Sequence, residues 1–241
     1  MAKKFAVFDI DGTVVRTSLF LQIVDQLIAD GNLPADARVQ LDKKLTAYQD
    51  RQHSDAFTEY TEFAVDLLFN NLPAVKVSDY QAAADEVLAR ARSRSYVYTR
   101  DLIKTLKRDG YFLIALSRSE MYSVAQFATH YGFDVAVGET YLEKDGYFTG
   151  EADLVDSKDS ALKKLIDQHD LSLRDSLAIG DSHGDAKMLA MVERPIAFNP
   201  EQRLLKLAQQ NGWKIVIERK NVIYELEQQD GSYVLAATNV G

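Results

Sequence analysis

The chain opens with a short apolar run and then changes to a long stretch in which apolar residues recur every three or four positions. The run Phe5–Thr13, FAVFDIDGT, predicts a buried strand that ends in Asp9 and Asp11 and turns at Gly12. From Thr17 to Arg94 the helical period continues without a strand pattern. This stretch predicts four consecutive helices, over about 18–31, 34–50, 56–72 and 78–93.

Residues typical of helix ends mark the limits of these four segments. Ser18 and Ser78 are predicted N-caps, and Pro34 is expected near the first position of the second helix. Gly31 is expected to end the first helix and Pro73 the third.

Beyond residue 95 helical and extended patterns alternate. Helical spacing covers about 98–110, 121–132, 158–170, 184–192 and 201–212. Apolar strand runs cover 111–117, part of 133–151, 176–182, 194–199 and 213–218. Asp-Gly pairs at 145–146 and 230–231 predict hairpin turns, the second within a terminal hairpin at about 220–238.

This alternation predicts an α/β fold with a doubly wound parallel sheet. We expect a core domain over 1–16 and 95–241 and a helical cap domain over 17–94. Because the insert follows the strand that carries Asp9, it should lie above the strand ends and act as a lid. The terminal hairpin is expected either to cover an edge of the sheet or to pair with a second copy.

Composition excludes several classes of protein. With 241 residues the chain can bury a full core, and its net charge of −8 argues against nucleic acid or an anionic membrane as the main partner. It has no cysteine, which excludes disulfides, thiolate catalysis and thiolate-bound zinc. We expect no signal peptide and no membrane span, since no apolar run approaches ~20 residues, and a cytoplasmic location is the default.

The first strand ends in a candidate metal site. Residues two apart on a strand point to the same face, so the carboxylates of Asp9 and Asp11 should aim at one spot beyond its end. Two carboxylates this close repel each other unless one is protonated or a cation lies between them. The pair therefore predicts a hard cation, with Mg²⁺ as the first choice. The alternative is that both residues only end a strand and begin a turn.

Other strand ends and one helix start supply possible partners for this pair. Ser117 ends the strand over 111–117, and Ser119 is near enough to share its role. Asp181 ends the strand over 176–182, with Asp185 four residues on, and Lys158 begins a helix. Strands of a parallel sheet present their carboxyl ends at one edge, where ligands bind. The plainer alternatives are a strand-end hydroxyl, a turn former, a helix-terminal acid and a surface lysine.

In order along the chain, FDIDGT, ALS, Lys158 and GDSHGD resemble the four motifs of the haloacid dehalogenase superfamily. The helical insert between the first and second motifs is similar to the phosphoserine-phosphatase-like branch, subfamily IB. The resemblance implies a Rossmann-like core, Mg²⁺ and a phosphatase that forms an aspartyl-phosphate. It implies Asp9 as the nucleophile and Asp11 as the acid that protonates the leaving group and then activates water.

The same resemblance implies roles for the remaining motif residues. Mg²⁺ would be held by Asp9, the Asp11 backbone carbonyl and Asp181, while Asp185 either completes the metal's outer shell or orients Lys158. Ser117 and Lys158 would bind phosphoryl oxygens. The further expected phosphate-binding positions are Gly12, Thr13 and Arg118.

Asp11 favours cleavage of a phosphoester over dehalogenation, because an alkoxide leaving group needs an acid and a halide does not. Phosphoserine phosphatases have glutamate at the position of Ser18, two glycines where Arg118 and Ser119 stand and usually asparagine at Gly184. These departures put phosphoserine in doubt and leave a small phosphorylated metabolite of unassigned identity. The candidates for reading its leaving group are Arg16, Tyr48, Arg51 and Tyr60.

Three alternatives to a small-molecule phosphatase stay open. The chain could transfer the phosphoryl group to a second substrate, act on phosphoproteins through the insert and the terminal hairpin, or bind a ligand without catalysis. The sequence gives no prediction of oligomeric state.

Overall fold

The computed structural model describes residues 2–240 and contains one sheet of nine strands with helices on both faces. The strands are β1 (Lys3–Phe8), β2 (Phe112–Glu120), β3 (Val135–Lys144), β4 (Tyr147–Asp153), β5 (Leu171–Gly180), β6 (Arg194–Phe198), β7 (Lys214–Arg219), β8 (Val222–Gln229) and β9 (Ser232–Val240). The α-helices are α1 (Leu19–Ala29), α2 (Ala37–Gln49), α3 (Ala56–Asn71), α4 (Val77–Ala91), α5 (Val97–Arg108), α6 (Met121–Tyr131), α7 (Lys158–His169), α8 (Ala186–Leu189) and α9 (Gln202–Asn211). No helix in this described part is long and apolar enough to cross a membrane.

The strand order is β4-β3-β2-β1-β5-β6-β7-β8-β9. The six strands from β3 to β7 in this order are parallel, and antiparallel strands extend the sheet at both ends. Strand β1 lies between β2 and β5, at the point where the order of connections reverses. The prediction of a doubly wound parallel sheet is confirmed, and its switch point lies where ligands bind in such folds.

Alternating side chains of β1 enter two separate apolar cores. Phe5 and Val7 pack into the core beneath α7, α8 and α9, whereas Ala6 and Phe8 pack into the core shared with the inserted helices, α5 and α6. All four side chains are fully buried. Burial on both faces explains why the strand is apolar throughout and fixes the direction in which its carboxyl end points.

The helices α1–α4 lie between β1 and β2, and the chain enters and leaves this insert at one place. The Arg16 N–H donates to the Arg94 carbonyl at 3.3 Å, and the Tyr96 N–H donates to the Val14 carbonyl at 3.0 Å. Val15 and Ser95 form an antiparallel bridge between these two bonds. The two segments that connect the insert to the rest of the chain, called the crossings below, therefore run side by side, close to the predicted limits of 17–94.

The insert also packs against the hairpin of β3 and β4. The Val77 N–H donates to the Gly146 carbonyl at 3.0 Å, and the Phe148 N–H donates to the Val75 carbonyl at 3.4 Å. The Tyr80 ring packs edge-on against Phe148, with 5.4 Å between centroids. Backbone and aromatic contacts thus join the insert to one edge of the sheet.

Several element boundaries differ from those predicted. The second helix begins at Ala37, three residues after Pro34, with Asp36 at its N-cap position. The fourth begins at Val77 after Lys76, so Ser78 lies in its first turn and is not its cap. The segment predicted as a helix over 184–192 forms a 3₁₀ turn, His183–Asp185, followed by the four residues of α8.

Other local predictions are confirmed. The Ser18 hydroxyl accepts the Leu21 N–H at 3.3 Å as the N-cap of α1, and α3 ends at Asn71, where a 3₁₀ turn that contains Pro73 follows. The terminal hairpin adds two strands beyond β7, so β9 is the new edge of the sheet. The hairpin therefore covers the β7 edge of the sheet, which is the first of its two predicted roles.

Candidate active site

Acidic and hydroxyl side chains converge at the carboxyl end of the central strands. Asp9 follows β1 and is 4% exposed, and its Oδ1 accepts a hydrogen bond from Lys158 Nζ at 2.5 Å. Lys158 also lies 2.5 Å from Asp185 Oδ1, so the ammonium group bridges two carboxylates. All three side chains are buried, and the bridge joins the first strand, the start of α7 and the turn after β5.

Asp9, Asp181 and Asp185 form a compact cluster of carboxylates. Each offers an oxygen, and these oxygens all lie within 4.8 Å of one another. The donors are all hard carboxylate oxygens, which suit Mg²⁺ or a similar divalent cation. Three carboxylates with a single ammonium group leave a net negative charge, which a divalent cation would offset. The cluster therefore fits the predicted metal.

Asp185 is the member whose oxygens already have protein partners. Its Oδ2 accepts the Ser182 N–H at 3.0 Å and the Ser182 hydroxyl at 2.9 Å, while its Oδ1 accepts Lys158. Of the two roles left open by the sequence, this arrangement favours orientation of Lys158 over a place in the metal's outer shell.

The pKa values reflect the shortage of positive charge. Burial raises the pKa of Asp9, an effect that the Lys158 ammonium opposes and that the neighbouring Asp185 and Asp11 reinforce. Burial also raises the pKa of Asp181, with repulsion from Asp9 and Asp185 as further causes. For Lys158 the attraction of both carboxylates outweighs burial and raises its pKa, so it stays an ammonium ion. The site is therefore electrostatically suited to receive a cation.

Gly12 allows Asp181 to approach the first strand. Its φ is +81°, and a Cβ atom placed on it would lie 2.2 Å from Asp181 Oδ2. The Thr13 hydroxyl donates to Asp181 Oδ1 at 3.3 Å, so the next residue holds the same carboxylate. In this structure Gly12 and Thr13, predicted to bind phosphate, position a carboxylate of the cluster.

Replacing Gly12 with alanine is expected to displace Asp181 and weaken binding of Mg²⁺ by ~10-fold or more, as changes around metal ligands typically do. Gly146→Ala is the matched control, because Gly146 has a φ of +82° and no atom within 4 Å of the added Cβ. Both variants carry the same backbone strain, and only the first carries the clash. Calorimetric titration with Mg²⁺ measures the difference, and equal affinities in the two variants would contradict this account.

Asp11 has a set of partners separate from the cluster. Its Oδ2 accepts the hydroxyls of Ser117 at 2.6 Å and Ser119 at 2.8 Å. Its Oδ1 accepts the Leu19 N–H, at the first residue of α1, at 2.5 Å. Among the described residues its carboxylate therefore faces donors from β2 and from the insert. The sequence predicted that the carboxylates of Asp9 and Asp11 aim at one spot, whereas the structure places the Asp11 carboxylate outside the cluster of Asp9, Asp181 and Asp185. The further expectation that the Asp11 backbone carbonyl binds the metal stays a prediction.

The structure brings together most of the predicted site residues but directs Arg118 elsewhere. Arg118 stands between Ser117 and Ser119 on β2, and successive strand residues point to opposite faces. Its Nε lies 3.1 Å from Glu139 Oε1, and its side chain is 69% exposed. The strand alternation therefore turns the guanidinium away from the phosphate position that the sequence suggested for it.

The four candidates for reading a leaving group are also engaged elsewhere. Arg16 pairs with Glu218 at 2.5 Å and lies over the Tyr96 ring, and Tyr48 packs against Phe57. Tyr60 is buried in the insert and Arg51 is exposed at a turn with positive φ. In the described part of the chain none of these four side chains hydrogen-bonds to the aspartates of the site.

Glu218 is a residue that no sequence pattern indicated, whereas Ser119 was already expected to be near enough to share the role of Ser117. The buried carboxylate of Glu218 accepts the N–H groups of Val97 and Tyr98 at the start of α5 as well as Arg16. No local pattern in WKIVIE indicates such a contact, because its partners are more than a hundred residues away. For Ser119 the signal was available, since it is two residues from Ser117 on the same strand.

The family model for haloacid dehalogenase-like hydrolases matches residues 6–190, well over half of the chain. A putative hydrolase of Mycobacterium leprae is 30% identical over 137 residues, 54% of this chain and 44% of that protein, so the match spans less than half of the relative's length. A phosphoserine phosphatase of Mycobacterium tuberculosis is 26% identical, over 87% of this chain and 69% of its own.

A relative of similar size and two solved structures extend these matches. A histidinol-phosphatase of Neisseria meningitidis is 24% identical over 89% of this chain and 98% of that protein. A Bordetella pertussis protein of unknown function superposes with a TM-score of 0.71 at 23% identity, covering 90% of this chain and 99% of the other. A phosphoserine phosphatase solved as an analogue of its phospho-aspartyl intermediate gives 0.63 at 22%, covering 91% and 95%. At these identities the two structures support the fold.

Proposed function

The chain belongs to the haloacid dehalogenase-like hydrolase family, as its motifs predicted, and on that basis we propose that it is a Mg²⁺-dependent phosphatase of small phosphomonoesters. The observation that carries the proposal is the separation of Asp9 from Asp11. Asp9 is bonded to an ammonium group within a carboxylate cluster, and Asp11 is bonded to two hydroxyls and one N–H. Two acids on one strand end thus have environments suited to different tasks.

In the proposed reaction an Asp9 oxygen attacks phosphorus while the bond from phosphorus to the ester oxygen breaks. The ester oxygen leaves with the proton of the Asp11 carboxylic acid, which gives the free alcohol and an aspartyl-phosphate on Asp9. Water then attacks phosphorus and gives a proton to Asp11, and the bond to Asp9 breaks. Inorganic phosphate is released, and both aspartates return to their starting states.

The remaining residues would stabilise the phosphoryl group. Lys158 contacts Asp9 directly, so a phosphoryl group on Asp9 would lie within reach of its ammonium. Ser117 lies beside Asp11 on β2, which continues to Glu120 and so does not end at Ser117 as predicted, and its hydroxyl would donate to another phosphoryl oxygen. When bound by Asp9 and Asp181, with Asp185 beside them, a divalent cation would offset charge on the phosphoryl oxygens.

The proposed cap is the helical insert over 17–94. Its first helix begins at Leu19, whose N–H meets Asp11, so the insert adjoins the residue that would protonate the leaving group. The relatives named as phosphatases of phosphoserine and histidinol phosphate make a small phosphorylated amino compound a reasonable first substrate class. Ser18 is occupied in capping α1, which does not favour phosphoserine itself.

The proposal is tested by measuring phosphate release from a panel of esters with Mg²⁺ and again with excess EDTA. The panel contains phosphoserine, histidinol phosphate, phosphocholine, sugar phosphates, a nucleotide and a phosphopeptide. We expect metal-dependent turnover of at least one small ester that exceeds turnover of the phosphopeptide. Preference for the phosphopeptide would favour a protein phosphatase, and no metal-dependent turnover of any ester would favour a silent binding protein.

A further inference from the structure

Two hydroxyl groups donate to one oxygen of Asp11, although a single one would satisfy the family's second motif. Ser117 Oγ lies 2.6 Å and Ser119 Oγ lies 2.8 Å from Asp11 Oδ2. Both serines are buried, at 0% and 3% exposed. Residues two apart on β2 point to the same face, which places the two hydroxyls side by side.

Ser117 cannot keep its bond to Asp11 and also bind the substrate through its hydroxyl. A hydroxyl has one proton to donate, and a phosphoryl oxygen is an acceptor. When Ser117 donates to a phosphoryl group, it therefore releases Asp11 Oδ2. Ser119 then remains as the hydroxyl donor to that oxygen, with the Leu19 N–H on Oδ1.

We propose that Ser119 is a positioning residue that holds Asp11 in place for proton transfer while Ser117 binds the phosphoryl group. When Ser117 turns to the phosphoryl group, one lone-pair position on Asp11 Oδ2 becomes free, and in this proposal it faces that phosphoryl group. A proton bound to Oδ2 at this position points towards the ester oxygen, provided that the Asp11 carboxyl group does not rotate. The Ser119 hydroxyl, still bonded to the same oxygen, opposes that rotation.

The backbone of Ser119 contributes to the same arrangement. The Ser119 N–H donates to Ser117 Oγ at 2.9 Å. This bond occupies a lone pair of the Ser117 oxygen, so the Ser117 hydroxyl proton remains available for an acceptor in the site. Because Ser119 is almost fully buried, water has little access to replace its hydroxyl if it is removed. The site would then lose a donor to Asp11 without compensation.

This inference rests on the proposed phosphatase reaction and predicts a dependence on the leaving group. An alkyl phosphate needs a proton for its departing alkoxide, whereas p-nitrophenolate leaves readily without one. In Ser119→Ala we expect kcat/KM for an alkyl phosphate, which reports the steps up to release of the alcohol, to fall ~10- to 100-fold, the size of effect that a small misplacement produces. For p-nitrophenyl phosphate we expect kcat/KM to change less than ~3-fold. The readout is kcat/KM because kcat also contains the attack of water on the aspartyl-phosphate, a step in which Asp11 acts for both esters.

The measured quantity is the ratio of kcat/KM for the two esters, because a ratio does not depend on how much of a variant is folded. Ser119→Thr keeps a hydroxyl and should restore the ratio. Ser123→Ala is the matched control, because Ser123 is fully buried and its hydroxyl lies 3.4 Å from Glu120 Oε2. This control should leave the ratio unchanged.

Equal losses on both esters in Ser119→Ala, or an unchanged ratio, would overturn the positioning role and leave the phosphatase proposal intact. A parent protein that cleaves neither ester with Mg²⁺ would overturn both. A changed ratio in the Ser123→Ala control would also overturn the role, since it would show that any buried serine near β2 has this effect.

Discussion

Replacing Asp9 with asparagine is expected to lower phosphate release by at least ~10³-fold, since nucleophile replacements in enzymes of covalent mechanism cost this much or more. Asparagine has nearly the same shape but cannot form the acyl phosphate. The fold should survive, because Lys158 keeps its bond to Asp185 and one poorly hydrated carboxylate is removed. Steady-state assays with the ester that the parent cleaves fastest measure the loss.

The control for this variant is Asp167→Asn, the same change at an exposed carboxylate on α7. Its turnover should equal that of the parent. Unfolding curves in urea show whether the Asp9 variant is folded, which separates loss of chemistry from loss of structure. Turnover retained within tenfold by folded Asp9→Asn would exclude Asp9 as the nucleophile.

Replacing Lys158 with methionine is expected to affect both stability and turnover. Removing one partner of a buried charge pair typically costs about 3–5 kcal/mol, because the remaining charge is left without compensation. Here the remaining groups are the carboxylates of Asp9 and Asp185. Turnover should fall ~10²- to 10³-fold with the loss of one cationic donor to the phosphoryl group. Urea unfolding in EDTA measures the first effect and steady-state kinetics the second.

The direction of a pH effect follows from the same pair. The Lys158 ammonium lowers the pKa of Asp9 against the opposite effect of burial, so its removal raises that pKa further. Asp9 must be ionised to attack phosphorus, and the acidic limb of the pH–rate profile should therefore move to higher pH in Lys158→Met.

Lys163→Met on the same helix is the matched control. Its side chain is 65% exposed and its ammonium lies 3.6 Å from Asp159, an arrangement in which an ion pair contributes little. We expect a change in the free energy of unfolding within about 0.5 kcal/mol, as for ordinary surface substitutions. If both lysine variants were equally stable and active, Lys158 would have no role in the site.

The sequence was sufficient for the order of elements because the apolar pattern is strong wherever burial is complete. Strand β1 is buried on both faces and was predicted from its apolar run, and the Asp-Gly pairs were found at both predicted hairpin turns, each with positive φ. The helix starts that were predicted wrongly are positions where two neighbouring residues could each begin or cap the helix. Pro34 precedes α2 by three residues. Lys76, in extended conformation, occupies the N-cap position of α4 that was predicted for Ser78.

The site was predictable to the extent that its residues occupy strand ends. Asp9, Asp11, Ser117 and Asp181 come from strands that the topology places next to one another. The orientation of each side chain was not predictable at the same level. Arg118 sits between two site residues yet faces Glu139, and Thr13 donates to Asp181. The direction of these side chains depends on which face of the strand each residue occupies and on partners that are distant in sequence.

The contact between the insert and the β3–β4 hairpin restricts how the insert can move. The bonds from Val77 to Gly146 and from Phe148 to Val75, with Tyr80 against Phe148, tie the inserted helices to the flank of the sheet. A rotation of α1–α4 about the paired crossings at Val15 and Ser95 must therefore either break these contacts or carry the hairpin along. The mobile body would then comprise both the insert and β4, and the bending would fall within β3 rather than at the crossings alone.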